Sequence, residues 1–131
     1  MVCGGKRKGA YIAPTIITDI PATADVATDD EIFGPVVSVI PFNTVEEAIK
    51  IANASKYGLS GCVFTKDIKT AFNVVKKLEC GGTVINGASF FRSFEMPFGG
   101  YKFSGIGTEG TMTTFNEVTK IKTVTLKNIL D

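Results

Sequence analysis

Residues 35–42, PVVSVIPF, form an unbroken apolar run short enough to be a buried β-strand. Behind it the period changes. Thr44-Val45-Glu46-Glu47 has the composition of a capping box, with the threonine hydroxyl and the Glu47 carboxylate placed to satisfy each other's backbone amides. Val45, Ala48, Ile49 and Ala52 then recur on one helical face while Glu46, Glu47 and Lys50 turn away from it. Gly58 ends this segment, and LSGCVFT at 59–65 reads as a second strand. A second helix opens near Asp67, where a carboxylate suits the N-terminal dipole; Ile68, Ala71, Phe72, Val75 and Leu78 repeat the amphipathic spacing, and Lys76 and Lys77 fall at the cation-favouring end. Gly81-Gly82 stops it before TVIN at 83–86, a third short strand. Apolar interior strands separated by crossover helices predict a right-handed parallel β-α-β-α-β unit, so the fold class is α/β.

The two ends follow a different rhythm. Residues 9–34 contain one strand-like piece at 11–17 and then a polar, proline-punctuated approach to Gly34-Pro35. Residues 89–110, SFFRSFEMPFGGYKFSGIGTEG, predict a long irregular loop, and a loop of that length in a compact domain is commonly functional. Its phenylalanines at 90, 91, 94, 98 and 103 argue against disorder and require a covering surface. TMTTF at 111–115 is β-branched rather than helical in character. At the end of the chain, Val124 and Leu126 alternate with Thr123, Thr125 and Lys127, which predicts a terminal edge strand. Two outcomes stay open for it: closing its own sheet, or pairing with another subunit.

GIGTEG at 105–110 matches the GxGxxG pattern of dinucleotide-binding turns. The context required for that chemistry is missing, because MPFGGYKFS rather than an apolar strand precedes it and too few residues follow for a second strand and an acidic ribose ligand. The glycines fit a tight backbone path instead. Composition narrows the chemistry further. The 131 residues have the length of one domain. Fourteen basic against thirteen acidic residues give a net charge of +1, which predicts no nucleic-acid partner, and no apolar run reaches membrane-spanning length. Lys6, Arg7 and Lys8 read as a solvated turn between glycines. The amino terminus lacks the apolar core of a signal peptide, which predicts a cytoplasmic protein. Cys3, Cys62 and Cys80 are too scattered for a disulfide framework or a metal knuckle; Cys62 and Cys80 read as buried small hydrophobes. With no histidine present, His-ligated metal sites and histidine-based triads are excluded within this sequence, and no catalytic residue or metal ligand is assigned.

EIFGPVVSVIPF at 31–42, YGLSGCVFTKD at 57–67 and TVINGASFFRSFEMPFGGYKFSGIGTEG at 83–110 together resemble, in order and separation, the C-terminal part of the catalytic domain of aldehyde dehydrogenases. The resemblance covers essentially the whole chain. It implies that residues 1–110 are a portion of the catalytic domain and that residues 111–131 are a tail carrying the oligomerisation strand. It also implies NAD or NADP as cofactor and an aldehyde as substrate. In the intact enzyme a thiolate attacks the aldehyde, a hydride passes to NAD(P), and water hydrolyses the thioester to the carboxylic acid.

Carried over by position, Glu31 matches the glutamate whose carboxylate accepts from the nicotinamide ribose hydroxyls, and Phe33 matches the phenylalanine near the nicotinamide. Considered apart from the motif, Phe33 is more naturally a core aromatic. Asn86 matches the asparagine that supports the active-site surroundings. Residues 87–95 fall where the family lines its substrate tunnel, assigning Phe90, Phe91, Arg92 and Phe94 to that wall. Arg92 is read preferentially as a solvent-exposed side chain at the mouth, against the alternative of a fork for an acidic aldehyde. The family's nucleophilic cysteine, general base and Rossmann domain have no counterpart here, so the expectation is a C-terminal fragment inactive alone. Its competitor is a non-catalytic α/β module that homo-oligomerises through its last strand.

Overall fold

The computed structural model describes residues 3–128. A short hairpin pairs β1 (Arg7–Lys8) antiparallel with β2 (Tyr11–Ile12), so the basic cluster is exposed as expected but runs into a strand, and the turn falls at Gly9–Ala10. Next come β3 (Thr15–Thr18), the single-turn helix α1 (Asp25–Thr28), β4 (Val36–Val39), α2 (Val45–Ala52), β5 (Tyr57–Gly58), β6 (Ser60–Val63), α3 (Ile68–Lys77), β7 (Gly82–Ile85), β8 (Tyr101–Lys102) and α4 (Thr111–Val118). The class is mixed α/β with parallel ladders.

Both central helices begin as their sequences dictate. Glu47 N–H donates to Thr44 Oγ1 at 3.1 Å, closing half of the capping box. The Glu47 carboxylate reaches one residue further back than predicted, accepting from Asn43 N–H at 2.8 Å, and this contact above all holds its pKa below the ordinary value. At α3, Asp67 accepts from the Thr70 hydroxyl, from Thr70 N–H at 2.9 Å and from Lys69 N–H at 3.3 Å; the Thr70 hydroxyl is the largest cause of its lowered pKa. The helix ends fall earlier than the glycines suggest. Asn53 caps α2, and its side chain also clamps the end of α3, donating to Lys77 C=O at 2.7 Å and accepting from Glu79 N–H at 2.9 Å. Gly58 is needed for a different reason: a Cβ there would lie 2.2 Å from Glu79 C=O.

The predicted three strands form, but they do not make one sheet. β6 and β7 pair in parallel across α3, Ser60 opposite Gly82 and Val63 opposite Ile85. β4 instead pairs in parallel with β3, and among the described residues no ladder joins β4 to β6. The continuous β-α-β-α-β unit is therefore corrected to two separate two-stranded parallel ladders. Helices α2 and α3 pack together beside β6, and Ile49 and Ala71 are the hydrophobic side chains buried among the described residues. Between these helices and β6 runs an open cleft of about 700 Å³, walled by Phe42, Val45, Ile49, Cys62, Phe64 and Val74. Cys62 is thus exposed rather than buried, and Cys80 half-buried.

Two further expectations are corrected. Residues 111–118 are helical despite their threonines, because Gly110, at φ 140°, makes the sharp entry and Thr114 N–H then bonds Gly110 C=O at 2.7 Å. The terminal edge strand joins no ladder of this chain: residues 119–128 are exposed and carry no strand, since alternation gives a strand only where a partner supplies hydrogen bonds. Among the described residues, no helix is long and apolar enough to cross a membrane.

Candidate functional site

Asp29, two residues before Glu31, fastens the start of this region. Its Oδ1 accepts from Lys56 N–H at 3.0 Å and from the Ser55 hydroxyl at 3.2 Å, and Lys56 Nζ stands 3.9 Å from its other oxygen. This clamp ties the 29–31 segment to the turn entering β5. On the far side, Lys102 Nζ gathers three acceptors: Asn53 C=O at 2.8 Å, Ser55 C=O at 3.0 Å and the Glu79 carboxylate at 2.7 Å. A cation at the C-terminal end of α2 also suits that helix's dipole. Ser104 follows β8 and its hydroxyl accepts from Gly58 N–H at 2.9 Å, closing the β5–β8 pair.

The result is a shallow hollow of about 480 Å³ with Glu31 on its wall, facing Ser55, Tyr57, Leu59, Phe103 and Ser104. None of the ion pairs among the described residues uses Glu31, so its carboxylate is available as an acceptor. The sequence offers Glu31 as an expectation but gives no sign of the Asp29 clamp beside it. Asp29 and Lys102 carry no periodic signal, and their partners lie 23 to 49 residues away in sequence.

Phe33 is not a core aromatic. It adopts a left-handed φ of 47° and is 93% exposed, outside the hollow that Glu31 lines. A bulky residue held in that conformation with its ring in solvent carries local strain of the kind found at functional positions.

Asn86 terminates β7 in the same left-handed region, φ 54°. Its side chain behaves like one more residue of strand, accepting from Thr65 N–H at 2.8 Å and donating to Thr65 C=O at 2.9 Å, while its own N–H bonds Val63 C=O at 2.8 Å. The chain leaves this bracket into residues 87–95, where Phe90 and Phe94 are each 87% exposed and Phe91 is also exposed. Nothing in the described chain covers them. Arg92 is not simply solvated: its guanidinium lies 4.1 Å from the centre of the Phe98 ring and 3.6 Å from the Glu109 carboxylate. This contact joins the middle of the loop to the Phe98–Glu109 bridge. At the loop's return, a Cβ on Gly81 would fall 1.6 Å from Gly99 C=O, so the two backbones seat directly on each other.

Among the described residues no group of His, Cys, Asp and Glu could hold a metal ion. Cys80 Sγ hydrogen-bonds with Thr83 Oγ1 at 3.2 Å and Gly82 C=O at 3.3 Å, and among the described residues no hydrogen bond joins a cysteine to a carboxylate or amine.

The sequence pattern described as the aldehyde dehydrogenase family matches residues 1–124. A lactaldehyde dehydrogenase of Methanococcus aeolicus is 45% identical over 125 residues, covering 95% of this chain and 26% of the relative. Aldehyde dehydrogenase 21 of Physcomitrella patens, solved with the reaction product succinate, superposes with a TM-score of 0.87 at 38% identity, over 98% of this chain and 26% of that one. The glyceraldehyde-3-phosphate dehydrogenase of Methanocaldococcus jannaschii, solved with NADP, gives a TM-score of 0.85 at 41% identity, over 94% of this chain and 26% of that one. The chain spans about a quarter of the length of each.

Proposed function

The chain belongs to the aldehyde dehydrogenase family, and from that premise we propose that it carries the cofactor-ribose anchor and one wall of the substrate tunnel of an enzyme oxidising an aldehyde to a carboxylic acid. Aldehyde dehydrogenases bind NAD or NADP. The observation that carries the reading is Glu31, an unpaired carboxylate held on the wall of a hollow by the Asp29 clamp. An ionised carboxylate only accepts, and two vicinal hydroxyls are the matching donors. When bound, the cofactor supplies the hydride acceptor. Glu31 holds its ribose, Phe33 offers a ring beside it, and Phe90, Phe91 and Phe94 give the aldehyde an apolar wall with Arg92 at the mouth. Asn86 positions that wall.

Alone, the chain does not turn over aldehyde, because none of its cysteines has a base beside it to generate the thiolate. The exposed residues 123–127 are the subunit-pairing segment, their alternation awaiting a strand that the described residues do not provide. Calorimetric titration of NAD and of NADP into the purified chain, with Glu31→Ala as control, tests the anchor. Binding in the micromolar to millimolar range that the substitution abolishes supports it. Binding that survives the substitution removes Glu31 from the role. Aldehyde-dependent NADH formation by the chain alone refutes the inactivity.

A further inference from the structure

Asn86 is the only asparagine of the sequence that is followed by glycine. That pair carries a chemistry of its own. The backbone nitrogen of the following residue can close a small ring onto the asparagine amide carbon, and glycine, with no Cβ, leaves that nitrogen open and the backbone free to turn into the attack. The fold nonetheless requires both residues. Asparagine serves at 86 because its amide supplies a donor and an acceptor to Thr65, at 2.9 and 2.8 Å, and because it tolerates φ 54°. Glycine serves at 87 because a Cβ there would lie 2.8 Å from Val84 Cγ1. Fit and lability therefore meet in the same two residues, and the asparagine is exposed. The hydrogen bonds decide when the pair reacts. Among the described residues no hydrogen bond uses the Gly87 N–H, so the nucleophile is free. The electrophile is held: both polar atoms of the Asn86 side chain are engaged by Thr65, which keeps the amide carbon from swinging onto the Gly87 nitrogen. Reaction requires this bracket to open, and it sits at the end of a two-stranded ladder, where opening costs least.

We propose that Asn86–Gly87 is a self-modification site, latched by Thr65, whose deamidation irreversibly releases the loop of residues 87–95. On opening, the Gly87 nitrogen bonds to Asn86 Cγ and gives its proton to solvent base. Asn86 Nδ2 takes up a proton and leaves as ammonia, and a succinimide remains. Water then adds to one of the two ring carbonyls and breaks its bond to the nitrogen, giving aspartate or isoaspartate. The net change consumes one water and liberates one ammonia, with no oxidation or reduction. Neither product rebuilds the latch. An ionised carboxylate at position 86 can still accept from Thr65 N–H, but it sets an oxygen against Thr65 C=O where Nδ2 had donated. Isoaspartate also routes the main chain through the former side-chain carbon, which moves Gly87 off Val84. Phe90, Phe91 and Phe94, already exposed, then lose the fixed point from which their loop departs. The site uses neither Glu31 nor a bound nucleotide, so it stands or falls apart from the ribose anchor.

The test ages the purified chain at fixed, mildly alkaline pH, folded and in unfolding guanidinium chloride, and follows conversion at Asn86 by peptide mapping with mass spectrometry. The folded chain is expected to convert at least about tenfold more slowly than the unfolded chain. Converted molecules, separated by ion exchange, are then exposed to chymotrypsin. Cutting at Phe90, Phe91 and Phe94 should be faster than in the unconverted chain, when each is measured against cutting at Tyr11 on the β1–β2 hairpin, which is also exposed. Asn86→Asp, made directly, should show the same selective cutting while keeping the far-ultraviolet circular dichroism of the parent. Equal conversion rates in folded and unfolded chain would show that the Thr65 bracket latches nothing. No conversion in either would remove the site, and converted chain cut no faster in the loop than its parent would remove the release. Each of these three results overturns the proposal.

Discussion

Replacing Asn86 separates two contributions that the structure superimposes at one residue. The side chain makes two hydrogen bonds to Thr65, at 2.8 and 2.9 Å, and the backbone sits at φ 54°. Losing both bonds at a solvent-accessible position costs about 2 kcal/mol. Asparagine tolerates the left-handed region, alanine does not, and glycine enters it freely; the alanine penalty over glycine is about 1 kcal/mol. Asn86→Ala is therefore expected to destabilise by about 3 kcal/mol and Asn86→Gly by about 2 kcal/mol. Urea unfolding followed by far-ultraviolet circular dichroism measures both, with unchanged slopes required for the comparison to stand. Equal losses for alanine and glycine would remove the backbone term from the account. Losses under about 0.5 kcal/mol for both would show that the Thr65 bracket contributes nothing to stability.

Thr44→Ala removes the hydroxyl that accepts from Glu47 N–H and is expected to cost about 1 kcal/mol, read from the same urea transition. Glu47 and Asp67 both have lowered pKa values, so their contribution is complete at neutral pH and is lost as pH falls through the carboxylate range, below about pH 4. The helical signal should decline there, and Asp67→Asn, which keeps a cap without a titrating charge, should flatten the Asp67 part; a signal that rises on acidification contradicts the assignment. Lys102→Met leaves two backbone carbonyls and the Glu79 carboxylate without their donor, and a loss of about 2 kcal/mol is expected. The same variant should loosen the 53–55 turn, seen as faster amide exchange at Ser55 and Lys56.

The helices were readable because their information is local. A cap and an apolar stripe fall within one short window, and Thr44, Asp67, Ile49 and Ala71 all took the places their spacing gave them. Strand pairing is not local. PVVSVIPF announced a strand correctly but not its burial, since Val37 and Val39 are exposed, and whether it lies against 15–18 or 60–63 is set by contacts distant in sequence. The same limit hid the exposure of Cys62. In the candidate site, Glu31 is an expectation carried by a motif, whereas Asp29 and Lys102 act through contacts formed only after the chain has folded back on itself. Residues 111–118 misled for a physical reason of another kind: β-branched residues carry a small helix penalty, and a glycine entry with a following hydrogen-bonded turn overrides it.

The loop of residues 87–98 is gripped at its roots by backbone and amide groups and, between them, by the Arg92 contact with Glu109 and by Phe94 C=O, which accepts from Thr111. Asn86 fixes where it departs, and the contact of Gly81 on Gly99 fixes where it returns, by backbone and amide groups that do not consult the residues between. A segment held in this way behaves as an interchangeable cassette. Its length and chemistry can be rewritten, aromatic for charged or bulky for small, while the frame that receives it keeps its shape, so a new surface can arise from a dozen residues without a fresh solution to the folding problem.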